Sequence, residues 1–482
     1  MKPRPPIVTI LGHVDHGKTT LLDYIRKSNL TKKEIGGITQ RIGAYEIDTQ
    51  IKGYPNSKIT FIDTPGHEAF AKLRSRGANI ADMALLLIDG KDGIMEQTIE
   101  SIYHIKNADI PFIVVINKID LPESNPEKIK NELIKYEVLV EEKGGKIPCL
   151  SISAKTGKGI GDLLETILLL ASEKNLNFNP KAEPKVYIIE TKKDKAGILV
   201  SAIIKDGQLK VGDIFYEEDK IRKIKAMFND LGQPINETFP STPFIFLGFE
   251  KLPEVGTLLP FTPQSVAKKE NNENQKKIFD LQTILQPKQQ EKKLSLILKA
   301  DSYGSLEAVS NALSKIENCE IVLKGIGDVN RSDIFLAKTV KGVVVGFSVN
   351  IPSEIAMLAK QEKIIIKSYQ IIYDLLEELK EVSLLLQEKE QKEKSVKGEA
   401  KILARFIIEG EKIYGVLVTK GKINLGDFLE VYRGENFFGK TKLVSLKIRA
   451  KKVEEVKKNQ EAGMIFSPPL DITIGDVVKS IS

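Results

Sequence analysis

The stretch "ILGHVDHGKTTLL", Ile10 to Leu22, supports two opposed readings. His13, Asp15 and His16 fall within four residues, as at a metal site, whereas glycines and a Lys-Thr pair frame them as in a loop that wraps phosphate. The run from Gly12 to Thr19 fits G-x-x-x-x-G-K-[ST] and lies between a strand-like "IVTIL" and a helical "TTLLDYIRK", the context that the phosphate-loop pattern requires. Its glycines let backbone N–H groups turn inward on a β-phosphate at a helix N-terminus. Gly12, His13, Val14, Asp15, His16, Gly17, Lys18, Thr19 and Thr20 are therefore the candidate phosphate-binding residues. Lys18 reaches the β and γ oxygens, and the Thr19 hydroxyl is a ligand for Mg²⁺. A metal held by His13, Asp15 and His16 would need all three to converge beside a lysine, so phosphate is the expected ligand.

The first ~175 residues alternate apolar runs, "IVTIL", "ITFID", "MALLLID" and "FIVVIN", with helix-like stretches. Continuous Val/Ile/Leu runs spaced in this way indicate a parallel sheet covered on both faces. "VINKIDLP" places Asn117, Lys118 and Asp120 at the end of such a strand. A carboxylate there accepts both the ring N–H and the exocyclic amine of guanine, while adenine would leave it unpaired. "SISAKTGKG" supplies Ser153, Ala154 and Lys155 for the back of the same base pocket. The expected ligands are GTP and GDP.

"FIDTPGHEAF" contains a nucleotide switch. Asp63 at a strand end holds Mg²⁺ through water, the Gly66 N–H senses the γ-phosphate, and His67 stands where a side chain orients the attacking water. Thr39 in "EIGGITQRIGAY" is the candidate for a second Mg²⁺ contact made only with GTP bound; a plain loop residue is the competing reading.

At 482 residues the chain is long enough for several domains, and 41% apolar with 28% charged residues indicates folded modules. The net charge is +7, and from Lys397 to Ser482 there are 16 basic against 11 acidic residues. Eight basic residues against two acidic ones fall between Lys440 and Lys458, a candidate surface for the phosphate backbone of RNA, although such a run is also an ordinary solvated face. Cys149 and Cys319 stand far apart, which predicts inert thiols rather than a disulfide framework or a zinc site. "MKPRPP" leads straight into a strand with no signal-like or membrane-spanning run, so a cytosolic protein is expected.

Beyond the first module, assigned to residues 1–176, the texture turns β-rich, predicting a β-barrel over 184–264. A polar run predicts a linker over 265–292, and renewed strand–helix alternation an α/β domain over 293–370. "IIYDLLEELKEVSLLLQEKEQKEK" becomes almost wholly charged, predicting an exposed connecting helix over 371–396, and a second β-barrel follows over 397–482. "GILVSAIIKDGQLKVGD" (Gly197 to Asp213) and "YGVLVTKGKINLGD" (Tyr414 to Asp427) share G-x-L-V and a closing Gly-Asp turn, which argues for two related barrels. The fold class expected is multidomain: a P-loop GTPase domain, a β-barrel, an α/β domain, a long helix and a second β-barrel.

With these residues together the chain resembles the translational GTPases, and specifically the bacterial translation initiation factor 2 family. "PPIVTILGHVDHGKTTLLD", "EIGGITQRIGAY", "FIDTPGHEAF" and "VVINKIDLP" are similar to that family's own phrasing, and "LKADSYGSLEAV", "IIYDLLEELK" and "VTKGKINLGD" continue the match. The resemblance implies a GTPase that in its GTP form binds initiator formylmethionyl-tRNA and the small ribosomal subunit. It then promotes joining of the large subunit, hydrolyses GTP on the ribosome and leaves. It further implies a cytoplasmic monomer working beside other initiation factors, with His67 as the catalytic residue and Val14 and Ile38 as an apolar gate before it.

Two departures from the family pattern carry expectations of their own. The family's long N-terminal region does not precede the GTPase module, so anchoring supplied by it is expected to be absent. The formylmethionine pocket, S-L-K-R-x-K-D-D-V with a later E-C-G, reads "SLKIRAKKV" and "QEAG". Lys447, Glu461 and Gly463 match and, with Arg449 standing in for the arginine replaced by Ile448, are the candidate tRNA contacts. The alternative is a GTP-dependent ribosome-binding factor without selective initiator recognition; a specialised elongation factor is disfavoured by the α/β insert from Leu294.

Overall fold

The computed structural model describes residues 1–26, 43–65, 68–194, 196–217, 220–262, 293–394, 396–408, 411–434, 436–449 and 451–481. The chain divides into two compact units, Met1–Leu379 and Lys380–Ser482.

The first unit opens with β1 (Ile7–Gly12), β2 (Gly43–Asp48), β3 (Lys58–Asp63), β4 (Met83–Asp89), β5 (Phe112–Asn117) and β6 (Cys149–Ser151). Their order in the sheet is β2-β3-β1-β4-β5-β6, parallel throughout except for the β2–β3 pair. β1 and β4 are buried at every position, which is why they read as unbroken apolar runs. The helices are α1 (Lys18–Arg26), α2 (Ala71–Ile80), α3 (Glu96–Ala108), α4 (Pro126–Leu133) and α5 (Ile160–Glu173). One sheet face packs Val8, Ile10 and Leu85 against Leu21, Leu22, Leu163 and Ile167; the other packs Leu86, Ile88 and Val114 against Ile102, Ile105 and Ile129. β2 escaped the sequence reading because "GAYEID" has no buried residue: it is an antiparallel edge strand paired with β3 alone.

Next come β7 (Lys185–Asp194), β8 (Gly197–Asp206), β9 (Ala226–Asn229), β10 (Pro234–Ile235) and β11 (Pro243–Leu247), an antiparallel sheet ordered β10-β9-β11-β8-β7. Val186, Val200, Phe215, Phe244 and Phe246 form its core. The parallel sheet that follows holds β12 (Leu294–Ala300), β13 (Cys319–Ile326), β14 (Val343–Phe347) and β15 (Ile366–Tyr369) in the order β13-β12-β14-β15. It carries α6 (Tyr303–Leu313), α7 (Arg331–Val340) and α8 (Ser353–Gln361). One apolar cluster joins Ile62, Phe70 and Leu73 to Ile189 and Ile203 and to Leu298 and Phe347, so the three parts of this unit share a core. α9 (Ile372–Lys394) is a single helix of 23 residues.

In the second unit, β16 (Val396–Ile408), β17 (Glu411–Asn424), β18 (Phe428–Arg433), β19 (Asn436–Ile448), β20 (Glu461–Ser467) and β21 (Val477–Ile481) close into a ring, β16-β21-β18-β19-β20-β17 and back to β16. Ile402, Val416, Leu429, Val431, Leu443 and Met464 fill it. The repeated Gly-Asp turns are built alike. Asp213 accepts the Lys210 N–H at 2.7 Å, Asp427 the Asn424 N–H at 2.8 Å and Asp476 the Thr473 N–H at 2.8 Å. The glycine before each carboxylate has φ of 102°, 90° and 98°, a left-handed turn that favours glycine.

Both cysteines are free, and burial pushes each thiol up to about 11, as expected for inert groups. Among the described residues no helix is long and apolar enough to cross a membrane.

Candidate nucleotide site

The phosphate loop leaves the carboxyl end of central β1, where the chain first runs to one side of the sheet and then to the other, the usual place for a ligand crevice in such sheets. Gly12 has φ of +150°, and a Cβ there would stand 2.3 Å from the Leu87 carbonyl oxygen of β4. Gly17 has φ of +94°, and its Cβ would meet the Asn117 side-chain nitrogen at 2.4 Å. No larger residue fits either position without moving the neighbouring strand end. α1 begins at Lys18, so the loop delivers its N–H groups to a helix N-terminus.

Lys18 is buried and donates to the carbonyls of Gly12 at 2.8 Å and His13 at 2.6 Å. Burial pulls its ammonium down to about 8, opposed by the Asp63 carboxylate at the end of β3. Thr19 lies half-buried in the first turn of α1 and Thr20 is exposed. The Val14 N–H donates to Gln97 Oε1 of α3 at 2.9 Å, and Asp15 takes φ of 63°. His13 and His16 are held below their usual range by burial, His16 at about 4 with Nδ1 3.3 Å from the Leu87 carbonyl. Among the described residues no three His, Cys, Asp or Glu side chains stand together as metal ligands. The loop has the build of a phosphate cradle.

Asn117 ties the site together. Its Nδ2 donates to the His16 carbonyl at 2.9 Å and its Oδ1 accepts the Ala154 N–H at 2.9 Å, so one buried amide fixes the phosphate loop to the base loop. Lys118, at φ of 61°, pairs with Asp89 at 2.6 Å. Ser153 Oγ donates to Asp120 Oδ1 at 2.6 Å, which holds that carboxyl below its usual range. Lys155 is exposed beside them. Thr39, Gly66 and His67, with Ile38, lie outside the described residues.

Three residues of the site were not read from the sequence. Asp89 ends "MALLLID" as Asp63 ends "ITFID", a recurrence that marks carboxylates at the carboxyl ends of central strands. Gln97 and Arg74 gave no signal. Arg74 is fully buried, donates to the Pro65 carbonyl at 3.0 Å and to Glu100 at 2.6 Å, and so fixes the chain just ahead of Gly66. In the terminal barrel Lys447 of β19 pairs with Gly463 of β20, and Glu461 lies two residues along. Arg449 occupies a turn at φ of 47°, while Ile448 packs on the barrel core.

Residues 4–173 match the elongation factor Tu GTP-binding domain, residues 183–260 elongation factor G domain 2 and residues 267–380 translation-initiation factor 2. A translation initiation factor IF-2 from Thermotoga sp. (strain RQ2) is 41% identical over 99% of this chain and 71% of its own length. The chain belongs to the translation initiation factor 2 family. A second translation initiation factor IF-2, from Thermus thermophilus, is 39% identical over 99% of this chain and 86% of its own length. A solved structure of GDP-bound aIF5B from Aeropyrum pernix is 25% identical, covering 100% of this chain and 92% of that one, with a TM-score of 0.48. As a member of the initiation factor 2 family with an elongation-factor-type nucleotide domain, the chain is a translational GTPase that binds guanine nucleotide.

Proposed function

We propose that this GTPase, in its GTP form, binds initiator formylmethionyl-tRNA and the small ribosomal subunit in the cytoplasm, promotes large-subunit joining and hydrolyses GTP on the ribosome. The observation that carries the guanine site is the Asn117 tie between the phosphate and base loops, with Asp120 oriented by the Ser153 hydroxyl. Asp120 receives the two guanine donors, Lys118 is steadied by Asp89, and the Ala154 N–H closes the pocket behind the base. Lys18 exchanges its two carbonyl partners for β and γ oxygens when nucleotide enters.

Thr19 and the buried Asp63 are hard oxygen donors beside the phosphate cradle, which suits Mg²⁺, an ion bound by one or two carboxylates or hydroxyls plus phosphate and water. When bound, the ion neutralises charge on the β and γ oxygens. Thr39 is a third donor by family match. His67 is proposed to orient the attacking water and Gly66 to sense the γ-phosphate. Arg74 anchors the Pro65 carbonyl immediately before them.

Lys447, Arg449, Glu461 and Gly463 are proposed to hold the aminoacyl end. A second reading, ribosome binding without choice of the initiator, is favoured by Ile448: it turns onto the core where the family has arginine. Protection of the aminoacyl ester separates the two. Selective protection of formylated over unformylated methionyl initiator tRNA supports the first reading, and equal or absent protection supports the second.

A further inference from the structure

Strands β21, β18 and β19 lie side by side in the terminal barrel, with Val478, Leu429, Val431 and Leu443 buried inside it. The alternate residues therefore form an outer wall. Its cross-strand rows are Ile481–Phe428–Lys442, Lys479–Glu430–Lys440 and Val477–Tyr432–Phe437. A register shift between Val431 and Tyr432 adds Phe438 as an extra residue. Phe428, Phe437 and Phe438 are 63%, 54% and 40% exposed, so the barrel core does not account for them.

Cations flank these rings. Lys442 Nζ is 5.4 Å from the Phe428 centroid and Lys479 Nζ is 4.5 Å from that of Tyr432; the Arg433 guanidinium, itself paired with Asp476 at 3.0 Å, is 4.4 Å from that of Phe438. The one carboxylate in the rows, Glu430, already accepts from the Tyr432 hydroxyl at 2.8 Å and pairs with Lys440 at 3.0 Å. Aromatic faces interleaved with cations suit a chain of alternating bases and phosphates. A purely apolar protein surface would instead strip water from the lysines without pairing them.

We propose that this outer wall binds unpaired ribosomal RNA, apart from the aminoacyl site at Lys447. Phe437 lies ten residues along β19 from Lys447, roughly 30 Å at a strand's rise per residue. A tRNA held at Lys447 has its unpaired aminoacyl end committed there and the arm behind it in duplex, so the loose bases left for this wall are those of ribosomal RNA. The proposal does not depend on which aminoacyl group is selected.

The test uses the full chain, a single-stranded oligoribonucleotide carrying 2-aminopurine, and vacant ribosomes. Replacing both rings, Phe428→Ala with Phe437→Ala, is expected to weaken oligonucleotide binding and ribosome association about tenfold or more while initiator tRNA ester protection stays unchanged. Lys442→Ala should lower the salt dependence by about one ion. Phe428→Tyr with Phe437→Tyr keeps the rings and should bind as the parent does, which guards against a misfolded alanine variant. Unchanged binding in the alanine variant, failure of the tyrosine variant, or equal loss in Lys447→Ala overturns the proposal. Loss of ester protection in the ring variants would make tRNA the occupant and overturn it as well. Ribosome association lost to a structured protein partner would leave oligonucleotide binding unaltered, the same refutation.

Discussion

Asp120 recognises guanine as an anion, and the Ser153 hydroxyl donates to it and holds its carboxyl below the usual range. Asp120→Asn exchanges an acceptor for a donor toward the exocyclic position, so GTP affinity should fall about 10- to 100-fold while xanthosine triphosphate, with a carbonyl there, gains. Competition titration against a fluorescent nucleotide reads both; retained preference for GTP would remove Asp120 from the base site. Asn117→Ala should lose a similar factor for every nucleotide, because it frees two loops at once rather than one base contact. Equilibrium binding of GDP and xanthosine diphosphate checks this, and selective loss of one base would contradict it. These residues were legible because local pattern and spacing carry them. Gln97 and Arg74 were not: Gln97 meets Val14 across 83 residues, and Arg74 acts through Pro65 and Glu100, partners that only the fold brings together.

Among the elements, strands buried on both faces declared themselves as apolar runs, whereas edge strand β2 did not, since half-exposed residues leave no such run. The Gly-Asp turns were legible for a physical reason: each needs a left-handed glycine and a carboxylate that caps the turn. The joint between β7 and α6 was invisible. There Glu190 accepts the Gly304 N–H at 3.1 Å and faces the Ser302 hydroxyl at 3.2 Å, and burial pushes its carboxyl up to about 7, with Asp301 adding to the rise. A raised carboxyl binds its proton more tightly in the folded state, so stability falls as pH rises from about 4.5 through about 7. Glu190→Gln keeps the acceptor and adds a donor toward Ser302. It should stabilise the protein at pH 8 by of order 2–3 kcal/mol and little at pH 4.5. Denaturant unfolding at the two pH values tests this, and an equal effect at both would show that Glu190 stays ionised.

For the whole molecule, the boundary between the units falls within α9, so one continuous helix is the covalent route from the nucleotide unit to the terminal barrel. The sequence showed this helix through its charged second half, which cannot be buried in a core. If GTP favours initiator binding by a given factor, initiator binding must favour GTP over GDP by the same factor, since the coupling free energy is shared. Two glycines inserted after Gln387 break helical continuity without touching either site. The insertion should bring both ratios toward one while leaving GDP affinity and RNA affinity in the absence of nucleotide as they were. Ester protection with GTP or GDP gives the first ratio, and nucleotide competition with or without initiator tRNA gives the second. Both ratios unchanged would show that coupling does not travel through a rigid α9. A change in GDP affinity without initiator tRNA would show that the insertion had altered the nucleotide site instead, because both ratios report one coupling and must move together.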